Sequence, residues 1–101
     1  MLVMAGLYSW WRSPASAPGE GWQLTATIFT RASAGAMTPL HDRMQVLLGT
    51  ALLADWLDPA LEGDQLLMNA VSEASVQLAK DLQTYAVHPL RGDGPDLILP
   101  I

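Results

Sequence analysis

The stretch QLTATIFTR at residues 23–31 decides the fold class, because its side chains alternate and several are β-branched. Alternation with a period of two is typical of a strand with one buried face. A second apolar run, LVMAGLY at residues 2–8, is short and contains Gly6, which favours a buried strand over a helix. We therefore expect residues 2–8 and 23–31 to pair, with the proline- and glycine-rich segment 13–21 as a loop between them.

Helical periodicity follows in the middle of the chain. Thr50 is expected to cap a helix over residues 51–57, which Asp58-Pro59 would end. A second helix is expected to begin near Asp64, with a break at residues 69–72, where helix propensity is weak. Its apolar positions follow the 3.6-residue period: Leu66, Leu67, Ala70, Val71, Ala74, Leu78 and Leu82.

Shorter segments complete the prediction. Residues 33–42 are expected to form a loop before the apolar run at 44–48. Strands are predicted at residues 84–88 and 96–101, with a turn between them. Strands and helices mix without the spacing of βαβ units, which favours an α+β fold of mixed strands and short helices.

Composition limits the function classes. The chain has 101 residues, of which 50% are hydrophobic and 15% charged, so extended disorder is not expected. It contains no cysteine, which excludes a disulfide scaffold, a thiolate zinc site and a thiol nucleophile on these residues. The apolar opening is too short to span a membrane and no basic residue precedes it, so a cytoplasmic protein is expected.

The charge is divided unevenly along the chain. Residues 1–50 carry three arginines against two acids, whereas residues 51–101 carry two basic residues against eight acids. The net charge is therefore +1 in the first half and −6 in the second. Because proteins that bind nucleic acids draw much of their affinity from positive charge, any DNA contact is expected in the first half.

The sequence His41-Asp42-Arg43 is the densest group of ionisable residues in the first half. A histidine titrates near neutral pH and is a natural general acid or base, although a histidine in a loop is more often a structural hydrogen-bonding residue. Asp42 need not orient His41, because neighbours in an extended segment point in different directions. Thr30, at the end of its strand, is by itself an ordinary β-forming residue.

An aromatic concentration lies in the first quarter of the chain, at Tyr8, Trp10, Trp11 and Trp22. Exposed aromatic rings can stack on nucleic-acid bases. In so small a protein, however, we expect most of these four side chains to lie in the core. No phosphate-binding loop, dinucleotide fingerprint, nucleophile elbow or metal-ligand spacing is present, so we expect neither a cofactor nor a metal.

Five segments, in order, resemble the C-terminal half of the SOS response-associated peptidase (SRAP) family. They are MAGLYSWW at 4–11, TIFTRA at 27–32, LHDRMQVLL at 40–48, DWLDP at 55–59 and GDGPDLILPI at 92–101. The resemblance covers essentially the whole chain but only about half of a family domain. It implies that residues 1–101 are a single partial domain, the C-terminal portion of a β-rich domain whose N-terminal half is absent.

The resemblance also implies a chemistry. Family members capture abasic sites in single-stranded DNA through an N-terminal cysteine, whose amine and thiol close a thiazolidine ring on the sugar aldehyde; the same cysteine is thought to release a propeptide. Among the assisting residues, the family's histidine matches His41 and its crosslink-adjacent threonine matches Thr30. Arg43 would be either a phosphate contact or a structural ion-pair partner. The family's asparagine and glutamate have no matching position here.

Two features depart from the family pattern. Gln45 stands where the family has proline, and the stretch before residue 91 lacks a segment with paired asparagines. Our leading hypothesis is an N-terminally truncated SRAP protein, inactive when isolated. The alternative is a non-catalytic interaction module or degenerate relative that pairs with a partner chain through its apolar first strand, since an exposed strand edge invites such pairing.

Overall fold

The computed structural model describes all residues, from Met1 to Ile101. It contains four strands and two helices: β1 (Gly6–Trp11), β2 (Gln23–Ile28), β3 (Thr30–Ala32), β4 (Arg43–Gln45), α1 (Thr50–Leu57) and α2 (Gln65–Lys80). Short 3₁₀ turns occupy Gly35–Met37 and Pro95–Ile98. The predicted α+β class is confirmed.

Strands β1 and β2 form an antiparallel ribbon in which Gly6 pairs with Ile28 and Trp11 with Gln23. The predicted pairing of the first two strands is therefore confirmed. The first strand is nevertheless shifted relative to the prediction, because residues 3–5 leave the ribbon. The Ala5 amide donates to the Val46 carbonyl at 2.8 Å, and Ala5 is the only fully buried residue of the predicted strand 2–8.

The predicted strand 23–31 divides at Phe29. The Phe29 amide donates to the Ala5 carbonyl and the Phe29 carbonyl accepts from the Val46 amide, each at 2.9 Å. The chain then enters β3, which pairs with β4 and not with β1. Residue 29 thus joins two small sheets, and the prediction of one continuous, half-buried strand is wrong because β2 is exposed along its whole length.

The core is small and lies where these segments meet α2. Only 8 of the 101 residues are buried, so most of the ribbon contributes nothing to it. One cluster joins Ala5, Val46 and Leu48 to Val71 of α2, and partly buried Phe29 and Trp56 pack against it with their rings edge to face at 5.7 Å. A second cluster joins Met44, Leu47 and Ala79.

Helix α1 ends at Asp58 as predicted, but Gly49 and not Thr50 is its N-cap residue. Helix α2 begins as predicted, because the Asp64 carboxylate accepts from the Leu67 amide at 2.9 Å. The expected break at 69–72 is wrong. Burial of Val71 against Ala5, Val46 and Leu48 outweighs the weak local propensity of that segment, and the helix is continuous.

The buried stripe of α2 is Val71, Ser75 and Ala79, which differs from the predicted apolar set. Ser75 is buried because its hydroxyl accepts a hydrogen bond from the Leu47 amide at 2.8 Å. Leu66, assigned to the core stripe by periodicity, is 78% exposed. Gly35 has φ +55° and lies so close to Ala79 that an added Cβ would be 2.6 Å from backbone atoms, so this turn requires glycine.

The two C-terminal strand predictions are wrong. Between residues 84 and 101 the pairing is limited to an isolated bridge from Val87 to Pro100 and a bond from the Ile101 amide to the Ala86 carbonyl. Pro95 instead begins a 3₁₀ turn, in which the Leu97 amide donates to the Gly94 carbonyl. Proline favours such a turn because its φ is fixed and it has no amide hydrogen to contribute to a sheet. Neither helix is long and apolar enough to cross a membrane.

Candidate functional site

The β3–β4 sheet brings the three predicted site residues together. Thr30 pairs with Gln45 and Ala32 with Arg43, so these four side chains share one face of the sheet. Arg31 and Met44, also paired, share the opposite face, which is turned toward α2. His41 lies two residues before Arg43, just outside the strand.

A cleft of about 370 Å³ opens beside the β3–β4 sheet, and residues of both faces line it. It is lined by Thr30, Met37, His41, Arg43, Met44 and Gln45. The cleft thus contains all three residues that the sequence indicated. The sequence analysis did not identify Met37, which lies in the 3₁₀ turn inside the predicted loop. This turn has only three residues, too few to show a periodic pattern in the sequence.

Arg43 and Thr30 are in direct contact. The Arg43 Nη2 atom donates to the Thr30 hydroxyl at 3.0 Å across the sheet. No acidic side chain lies within ion-pair distance of Arg43, so its interpretation as a structural ion-pair partner is not supported. A guanidinium has five N–H donors in a planar fork, so this single contact leaves most of its donors available for an anion.

His41 is held by its backbone and leaves its ring in solvent. The Ser33 hydroxyl donates to the His41 carbonyl, and the His41 amide donates to the Met37 carbonyl at 3.2 Å. The imidazole side chain is 68% exposed. The turn therefore fixes where the ring is attached while leaving the ring accessible to a ligand.

Two groups lie at the same distance from the His41 Nδ1 atom. The Arg43 backbone amide is 3.0 Å away and can donate only to an unprotonated Nδ1. The Asp42 carboxylate is also 3.0 Å away and can accept only from a protonated Nδ1. The Nδ1 atom therefore has one possible donor and one possible acceptor within hydrogen-bond distance. Asp42 lies nearer to the ring than the extended-segment argument implied.

Arg31, the neighbour of Thr30, has a different role. Its Nη1 atom donates to the Ser72 carbonyl at 2.6 Å and to the Ser72 hydroxyl at 2.9 Å. These bonds fasten β3 to α2. Arg31 therefore attaches β3 to α2 on the side of the sheet opposite Thr30.

The four aromatic side chains of the first quarter lie outside this site and outside the core. Tyr8, Trp10, Trp11 and Trp22 are between 52% and 75% exposed. The expectation that most of them are buried is therefore wrong for this chain. Arg12 stacks on the Trp22 ring at 5.3 Å and also donates to the Ala17 carbonyl, so its charge is held at the loop.

Comparison with known proteins bears on what this site does. The family model for SOS response associated peptidases matches residues 1–91. The chain belongs to the SRAP family. This SRAP chain is 29% identical over 102 residues to the protein named abasic site processing protein YoqW in Bacillus subtilis strain 168, and equally to the protein of that name in Bacillus phage SPbeta.

The match to each YoqW protein covers 97% of this SRAP chain and 42% of the relative. The chain thus spans less than half the length of these curated relatives. No solved structure matches it. Abasic-site processing is the activity in the names of these relatives, and the His41 segment lies inside the region that the family model matches.

Proposed function

We propose that these residues act in the processing of abasic sites in single-stranded DNA, as the histidine-bearing portion of an SRAP site. The observation that carries the proposal is the convergence of Thr30, His41 and Arg43 on one open cleft. Family membership supports the proposal, as does the similarity to proteins named for abasic-site processing.

In this proposal His41 moves protons. An abasic sugar must open from its hemiacetal to expose the aldehyde, and an amine that attacks the aldehyde forms an imine with loss of water. Both steps transfer protons at oxygen, and a positioned histidine typically accelerates such steps by about 10²–10⁴-fold. The exposure of the ring at the cleft and the two polar groups within 3.0 Å of its Nδ1 atom support this assignment.

Thr30 and Arg43 position the DNA. The Thr30 hydroxyl, oriented by the Arg43 guanidinium, is a hydrogen-bonding group for the sugar of the abasic residue. Arg43 is exposed and lines the cleft, and its remaining guanidinium donors suit a backbone phosphate. The placement of this arginine in the half of the chain with net positive charge is consistent with a polyanionic ligand.

The covalent step requires a group that these residues lack. After an amine forms the imine, a thiol sulfur on the same residue must add to the imine carbon to close a thiazolidine ring. The 101 residues contain no cysteine. We therefore propose that the amine and thiol come from polypeptide outside this sequence, corresponding to the part of the relatives that it does not match, and that the 101 residues alone form no stable adduct.

A chimera tests the role of the site. The 101-residue sequence replaces the matched stretch of B. subtilis YoqW, and the product is incubated with single-stranded DNA that contains one abasic site. A denaturing gel then measures the rate at which a heat-stable protein–DNA band forms, with unmodified YoqW as reference. His41→Ala should lower that rate by about 10²–10⁴-fold.

Matched controls are available in the same chain. His88→Ala removes the other histidine, which is exposed and lies outside the cleft, and should leave the rate unchanged. Thr30→Val should slow the reaction, whereas Thr27→Val, on the ribbon, should not. Equal rates for His41→Ala and His88→Ala would refute the acid–base role. A heat-stable band from the 101-residue chain by itself would refute the requirement for an external thiol.

The alternative, a non-catalytic interaction module, is favoured by a separate observation. The β1–β2 ribbon is exposed along its length and has no further strand on either edge. Under this alternative the chimera folds, but the chimera without further mutation and its His41→Ala variant both fail to form the heat-stable band. The chimera assay therefore separates the two candidate functions.

A further inference from the structure

The chain has much more surface than a compact protein of its mass. Its accessible surface is 8006 Å², whereas the scaling law for folded monomers gives about 5,600 Å² at this mass. Its radius of gyration is 17.6 Å, against about 13 Å for a compact domain of 100 residues. Because interface areas are counted over both partners, an excess of roughly 2,400 Å² on one partner corresponds to a total of about 4,800 Å², which is in the range of an obligate interface that resembles a domain core cut in half.

Part of the exposed apolar surface lies on one face of the ribbon. Since cross-strand partners project to the same side, the register places six apolar residues together on this face. We call it the apolar ribbon face, and its members are Gly6, Tyr8, Trp10, Leu24, Ala26 and Ile28. The opposite face is mixed, with Ser9, Thr25 and Thr27 among its members. The four large residues of the apolar ribbon face are between 54% and 75% exposed.

The chemistry of this face fits protein better than nucleic acid. Platforms that bind single strands combine aromatic rings with a basic groove that follows the phosphates. The apolar ribbon face has no charged residue, and aliphatic Leu24 and Ile28 are placed beside the rings. The nearest arginine, Arg12, is stacked on Trp22 and bonded to a loop carbonyl. A sheet face of this composition is typical of the inside of a packed domain.

We infer that the apolar ribbon face is the seat of the polypeptide that supplies the rest of an SRAP domain. Three observations identify this occupant. The chain belongs to the SRAP family, its match covers only 42% of each curated relative, and its surface excess is that of a divided core. The open edges of β1 and β2 also allow the occupant to add a strand to the ribbon.

The test contains no DNA, because the inference rests on family membership and not on the proposed chemistry. The purified 101-residue chain is mixed with a purified polypeptide that comprises the portion of B. subtilis YoqW outside the match. Size-exclusion chromatography with light scattering should show a 1:1 complex. Hydrogen exchange on the wild-type chain should show at least tenfold slower exchange at the amides of residues 6–11 and 23–28 in the complex.

Paired variants locate the contact. Trp10→Ser combined with Leu24→Ser removes apolar area from the apolar ribbon face and should weaken the complex at least tenfold. Ser9→Ala combined with Thr27→Ala alters the opposite face and should leave affinity within about twofold. The inference is overturned if no complex forms, if both double variants bind equally, or if exchange slows elsewhere and not in the ribbon. A stable homodimer that excludes the YoqW polypeptide would assign the face to a second copy and also overturn it.

Discussion

Two regions of this chain both contain apolar residues but differ in whether those residues are buried. In the junction, where residues 3–5, 29 and 46–48 meet α2, Val71 and Ala5 are completely buried. In the β1–β2 ribbon, Trp10 and Tyr8 are mostly exposed although the hydrogen-bonded pairing is regular. Regular strand pairing therefore occurs here without burial, and the buried junction is the region whose packing stabilises the fold of the isolated chain.

The largest expected effect comes from a charge placed in the junction. Val71→Asp puts a carboxylate with no partner among Ala5, Val46 and Leu48, and such a burial costs several kcal/mol. We expect loss of the cooperative unfolding transition in a urea titration followed by circular dichroism. Leu66→Asp, on the same helix but exposed, should retain the transition. Equal behaviour of the two variants would show that the junction is not the stabilising region.

A single hydroxyl tests the same region more finely. Ser75→Ala leaves the buried Leu47 amide without its acceptor, at a cost of about 1–3 kcal/mol in the free energy of unfolding. Ser9→Ala, on the exposed ribbon, is the matched change and should cost less than about 0.5 kcal/mol. Urea midpoints for the two variants measure the difference, and a reversed order would contradict the comparison.

A smaller effect is expected at the boundary between the junction and the ribbon. The Trp56 Nε1 atom donates to the Gly6 carbonyl at 3.0 Å and so ties α1 to the first residue of the ribbon. Trp56→Phe removes this bond and keeps most of the ring packing against Phe29, with an expected loss of about 0.5–1.5 kcal/mol. Hydrogen exchange should accelerate at the Gly6 end of the ribbon first. Acceleration confined to α2 would place the boundary elsewhere.

The smallest expected effect is in the ribbon itself. Trp10→Thr places a β-branched residue, which favours strands, at this position and removes a ring that is mostly exposed in the isolated chain. We expect the unfolding free energy of the chain alone to change by less than about 1 kcal/mol, which is the range of a cross-strand pair. A larger loss by urea titration would show that Trp10 is buried in solution.

The sequence was informative where local patterns and tertiary contacts agree. The pairing of β1 with β2, the start of α2 at Asp64 and the end of α1 at Asp58 each follow from local residue chemistry. Family resemblance gave Thr30, His41 and Arg43 their predicted roles, since spacing alone left His41 an ordinary loop residue, and the structure places all three at one cleft.

The failures have a common physical cause, because they involve contacts distant in sequence. Nothing local predicts that Ser75 is buried, since its partner is the amide of Leu47. The continuity of α2 through residues 69–72 depends likewise on strands that precede it by more than twenty residues. The aromatic residues were assigned to a core by composition, and composition carries no information on whether a covering surface belongs to the same 101 residues.

Strand β3 is only three residues long, yet its successive side chains point to opposite faces of the sheet and contact different parts of the molecule. Thr30 opens toward the cleft, while Arg31 is anchored through two hydrogen bonds to Ser72 near the middle of α2. The two bonds from Arg31 therefore couple the strand that carries Thr30 to the longest helix of the chain. A displacement of Thr30 that keeps these bonds intact also displaces α2.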